Sequence, residues 1–168
     1  MLVLLMAGCD GKTDPVQPVE SSKAPAVTTT QDTETKNAYV FTAGGVQVKV
    51  DAELGSVLDS LGTYAYHEET SCAFEGIDKF YDFGSYEIDT YPDGDKDYVS
   101  MIIIRDDLVS TTEGISLYMT KDDMIRVYGS DYTENGNLCS YDGGNMTLDF
   151  IIKEGEIVSI QYCSKVLK

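Results

Sequence analysis

"YDGGNMTLDFIIKEGEIVSIQY" (residues 141–162) reads as a glycine turn, an alternating strand, a polar turn and a second strand. An earlier stretch, "YDFGSYEIDTYPDGDKDYVSMII" (81–103), follows the same plan, down to a Val-Ser pair in its last strand. The likeness extends upstream. "VLDSLG" (57–62) and "MIRVYG" (124–129) both place apolar residues at i, i+1 and i+4 and end on glycine, as short helices do. The offset between copies is 67 residues at these helices and 60 at the strands, so the first copy carries about seven extra residues around "YHEETSCAF". The expected fold is α+β: two repeats of a short helix followed by an antiparallel three-stranded meander, with the helices on one face of the sheet.

Register follows from the turns. A three-residue turn Lys153-Glu154-Gly155 would pair Ile152 with Glu156 and gather Met146, Leu148, Phe150, Val158, Ile160 and Tyr162 on one face. In the first copy the same reasoning gathers Ile88, Val99, Met101 and Ile103 on the buried face. It turns Glu87, Asp89 and Ser100 outward, together with Tyr91, Tyr98, Ile102 and Ile104. These last four apolar residues on a polar face are the candidate contact surface. Thr120 with Asp123 forms a capping box for the second helix, whose apolar stripe is Met124, Ile125 and Tyr128. Asp51 would cap the first, with the stripe Leu54, Val57, Leu58 and Leu61. A leading hairpin, "YVFTAGGVQVKV" (39–50), turns on Gly44-Gly45 and should add edge strands.

With Gly114, Ile115, Met119, Asp122 or Asp123, Tyr128 and Gly129, and with Val158 and Ile160 on the last strand, "EGISLYMTKDDMIRVYG" (113–129) and its meander resemble the SmpA/OmlA-type small assembly lipoproteins. Tandem duplication of such a module is similar to the β-lactamase inhibitory protein fold. The resemblance covers most of residues 50–162 and implies a protein-binding module; no inhibitor-loop motif accompanies it.

The N-terminus carries a second resemblance. "LLMAGC" (4–9) resembles the lipobox of bacterial lipoprotein signal peptides, with Met6 as the hydrophobic residue, Ala7 and Gly8 as the small ones and Cys9 as acceptor. It implies removal of residues 1–8 and a diacylglyceryl thioether on Cys9. The basic stretch that opens such signals is missing, which points to a truncated start. Residues 9–36 are rich in Pro, Thr, Ser and Gln, too poor in apolar surface to offset ordering entropy. Such a coil would hold a folded payload on the order of 30 Å from a membrane. Residues 37–112 form the first repeat with its hairpin, and 113–168 the second.

Charge limits the partners. Twelve basic residues face 29 acidic ones; residues 1–36 contribute −2 and the rest −15 of the net −17. That surface repels nucleic acid and anionic lipid, and suits a cationic partner or simple solubility. Metal and catalytic motifs are weak. Cys9, Cys72, Cys139 and Cys163 form no C-x-x-C pair, and His67 is the lone histidine, so no Cys/His zinc pattern exists. Strand parity sets Cys139, expected beside Leu148, and Cys163 on opposite faces two strands apart, too far for a disulfide. Asp93, Asp95 and Asp97 alternate like calcium ligands. An EF-hand loop from Asp93 fails at its sixth position (Tyr98) and its twelfth (Ile104), which favours a hairpin turn. His67 and Cys72 could in principle form a nucleophile pair, though a loop histidine is the simpler reading. Twelve tyrosines without tryptophan suit either a binding surface or half-buried strands.

The sequence therefore predicts a lipid-anchored protein on the extracytoplasmic face of the cell membrane. Its module would bind an envelope or secreted protein without catalysis or cofactor. Small-ligand or cation binding is the alternative, and an enzyme using His67 and Cys72 a more distant one.

Overall fold

Alternating apolar residues between tight turns make most of residues 39–166, the part that the computed structural model describes, into strands. Cys9 and the segments expected to be a signal peptide (1–8) and a tether (9–36) lie outside the described residues. The strands are β1 (Phe41–Ala43), β2 (Val46–Val48), β3 (Ala65–Thr70), β4 (Ile77–Asp82), β5 (Tyr86–Asp93) and β6 (Lys96–Ile104). After helix α1 (Lys121–Tyr128) come β7 (Thr133–Asn135), β8 (Leu138–Asp142), β9 (Met146–Lys153) and β10 (Glu156–Ser164). Eight strands form one antiparallel sheet in the order β3-β4-β5-β6-β10-β9-β8-β7, while β1 and β2 pair only with each other. Two four-stranded meanders thus meet head to head through β6 and β10.

This overturns the expected α+β fold. The described chain is mostly β with a single α-helix, and its meanders have four strands, not three. The first helix fails for local reasons. "DAELGSVLDSLG" places Gly55, Ser56, Val57 and Ser60 within two turns, all poor helix formers, and yields two 3-10 turns, Leu54–Ser56 and Leu58–Ser60. Asp51 does not cap them. It sits at φ 60°, and its carboxylate accepts from Asn145 Nδ2 (2.5 Å) and Ser164 Oγ (2.6 Å), tying the first copy to the end of the second. By contrast Thr120 and Asp123 close a reciprocal capping box on α1, which buries Met124. The leading hairpin turns at Gly44-Gly45 but adds no edge strand. Its Phe41 packs on the main sheet, 5.0 Å from the Tyr86 ring and 5.9 Å from that of Tyr162.

Two β-bulges decide which residues face the core. In β10 the turn is two residues long, Glu154 (φ 55°) and Gly155 (φ 87°), a type I′ geometry that pairs Lys153 with Glu156. A bulge at Val158 then restores parity, so Ile157 is buried and Val158 is 41% exposed. In β6 a bulge at Ser100 shifts the strand, pairing Thr90 with Val99 but Asp89 with Met101. The expected face of the first copy is therefore reversed beyond the bulge. Ile102 and Ile104 point into the core, while Met101 and Ile103 point away.

The core rows run unbroken across both meanders. One is Tyr81, Ile88, Ile102, Tyr162, Leu148 and Tyr141, which exposed Tyr66 extends at the sheet edge; the next is Tyr86, Ile104, Ile160, Phe150 and Cys139. Leu54, Ile115, Leu117 and Met124 cover them in one cluster. Each fully buried Ile or Leu contributes about 1.5–3 kcal/mol, so this shared layer holds the halves together.

Candidate functional site

The face opposite the core is the candidate site. Its central row, read from the pairing, is His67, Phe80, Asp89, Met101, Cys163, Thr147 and Asp142. The adjacent row holds Asp82, Glu87, Ile103, Gln161, Asp149 and Ser140. Among the described residues, α1, the β1–β2 hairpin and the 3-10 turns all pack on the other side. Toward this face the β3–β4 loop turns in, stacking Phe74 on Tyr91 at 4.8 Å; Tyr91 in turn stacks on Tyr98 at 5.8 Å.

Carboxylates dominate the β4–β5 part of the face. Asp89 is 9% exposed and Glu87 8%, lying low beside the larger Phe80, Met101 and Ile103. Arg105 forms an ion pair with Glu87. Burial, then the charge of Glu87, pushes the Asp89 carboxyl from 3.8 up to about 7, against a smaller opposing pull from Arg105. One oxygen of Asp89 and one of Asp78 are buried with no hydrogen-bond partner among the described residues. An acceptor left this way carries a desolvation cost that a donor from outside would relieve.

The residues singled out from sequence scatter. Tyr91 and Tyr98 lie on this face, but Ile102 and Ile104 are core residues, 0% and 2% exposed, and leave the candidate surface. Their place is taken by Met101 and Ile103. Sequence reasoning missed Phe80, Asp89, Met101 and Ile103 as one patch because nothing in "DYVSMIII" marks Ser100 as a bulge.

Asp93, Asp95 and Asp97 do not converge. Gly94 (φ 62°) and Asp95 make a two-residue turn, Asp93 and Asp97 fall on opposite faces, and Asp97 is paired with Lys79 at 2.7 Å. His67 stacks on Phe80 at 4.5 Å within β3, three residue pairs before the loop that holds exposed Cys72. That is roughly 10 Å of strand, too long for a nucleophile pair. Cys139 pairs with Phe150 instead of Leu148 and lies on the core face, Cys163 on the other, with β9 between them.

Comparison finds no protein-family model, characterised protein or solved structure that matches this chain.

Proposed function

We propose that this is a lipid-anchored extracytoplasmic protein that binds another envelope or secreted protein non-catalytically through the open face of its eight-stranded sheet. The observation that carries the reading is the pair of buried, unpartnered carboxylate oxygens on Asp78 and Asp89, set in an acidic face left open by the described residues. A lysine or arginine supplies both the missing hydrogen bonds and the missing charge. Met101, Ile103 and Ile151 lie between the polar groups and give such a partner apolar contact. Anchoring on Cys9 rests on the lipobox resemblance and the polar stretch that follows it.

The test is affinity capture from envelope and secreted extracts with the full chain as bait, at two salt concentrations and at pH 6 and 8. A basic protein should be recovered, more at low salt and at pH 8, where Asp89 is ionised before binding. The double variant Asp78→Asn, Asp89→Asn should lose it about tenfold or more. Capture indifferent to the double variant would overturn the assignment of this face. A Cys9→Ser chain that still partitions with membranes would overturn the anchor.

A further inference from the structure

At the C-terminal end of α1, four tyrosines from four parts of the chain surround a cavity of about 350 Å³: Tyr39, Tyr128, Tyr132 and Tyr141. Their rings are tilted against one another and do not stack face to face, the smallest angle being 44° between Tyr128 and Tyr141. Tyr39 stands at 77° to Tyr128 and 67° to Tyr141, with centroids 5.8 and 6.5 Å apart. Tyr132 completes the wall, 5.5 Å from Tyr141 at 54°. Rings set this way form walls, and their π faces carry negative charge.

The charged residues that line the cavity are both acidic, and Thr133 and Ser140 complete it with neutral hydroxyls. Asp131 and Asp142 line it, and no lysine or arginine does. Lys165 holds Asp142 at 2.7 Å, whereas Asp131 has no ion-pair partner among the described residues. The last carbonyls of α1 add partial negative charge at the same end. Burial, then the charges of Glu113, Asp142 and Asp131, raises the hydroxyl pKa of Tyr39.

Two of the four hydroxyls are spent elsewhere. Tyr141 donates to the Gly129 carbonyl at 2.7 Å and Tyr128 to Glu113 at 2.6 Å, leaving ring surface more than acceptors. A primary ammonium would bring three N–H groups needing partners, while a quaternary ammonium brings none. The Tyr132 ring shows that it can take a cation, since Lys121 Nζ, itself outside the lining and paired with Glu134 at 2.8 Å, sits 5.3 Å from its centroid.

We propose that the cavity walled by Tyr39, Tyr128, Tyr132 and Tyr141 is a cage for a quaternary ammonium group, of the trimethylammonium kind. Ser140 and Asp142 of its lining end the two rows of the open face on β8, whereas the Asp78 and Asp89 patch lies on β4 and β5, so the two proposals are tested by different substitutions.

The test is calorimetric titration of the full chain with tetramethylammonium, choline and phosphocholine, with 3,3-dimethyl-1-butanol as the neutral isostere of choline. Tetramethylammonium and choline should saturate with Kd at or below about 1 mM, and the neutral isostere should bind at least tenfold more weakly. Phosphocholine binding like choline would point to a lipid headgroup as source, and choline alone to a free solute. Tyr39→Phe, which keeps the ring, should bind nearly as well as the parent, while Tyr39→Leu and the exposed Asp131→Asn should lose tenfold and several-fold. Circular dichroism confirms that each variant is folded. Absence of saturation up to about 20 mM, or equal binding of the neutral isostere, would overturn the cage.

Discussion

Asp89 sits where a carboxylate is costly. Burial and Glu87 hold its folded pKa at about 7 against 3.8 for a free carboxyl, so the folded chain keeps a proton that the unfolded chain releases. The linkage sign follows. The stability tied to that proton is fully present below pH 4 and is lost as pH rises through 7. Near pH 8 the cost is on the order of 4 kcal/mol, the interval from 3.8 to about 7 at about 1.4 kcal/mol per pKa unit. Asp89→Asn mimics the protonated form. Urea titration should find the variant and parent closest at pH 4, and the variant increasingly the more stable as pH rises to 8. Equal pH dependence for the two would show that Asp89 is ionised at no cost.

Among elements, the two bulges separate what was legible from what was not. Glycine turns, alternation and the capping box of α1 are local properties, and "TKDD" or "DGG" carries them in a few residues. A bulge is not local in that sense. In "YVSMIII" both parities are apolar, so Val99-Met101-Ile103 and Ile102-Ile104 compete, and packing against Ile88 and Tyr162 decides between them. The 3-10 turns at 54–60 fail as a helix for a similar reason: the stripe is right, but Gly55 and Val57 weaken the backbone beneath it. The bulge at Ser100 has a measurable signature. Ile102→Ala should cost about 3 kcal/mol in chemical denaturation, as a fully buried isoleucine does, and Ile103→Ala about 1 kcal/mol or less. The reverse order would restore the unbulged register and return Ile102 to the open face.

At the scale of the whole molecule, the two four-stranded meanders share one sheet and one core cluster. β6 and β10 pair over only four residues each, Met101–Ile104 with Ile160–Cys163, a seam too short to join two independent domains firmly. The binding between halves comes instead from rows of core side chains that cross it and from groups that straddle it. Phe41 packs on Tyr86 of one meander and Tyr162 of the other, and Asp51 reaches across to Asn145 and Ser164. Neither meander can bury Ile102 or Tyr162 without the other, so neither should be stable alone. Because the chain has no tryptophan, Tyr66→Trp in β3 and Tyr132→Trp beside β7 give one fluorescent reporter in each half. In urea the two reporters and far-ultraviolet circular dichroism should share one midpoint. Separate midpoints for Tyr66→Trp and Tyr132→Trp would mean that each meander closes its own core, and that the rows crossing the β6–β10 seam contribute little to holding the sheet.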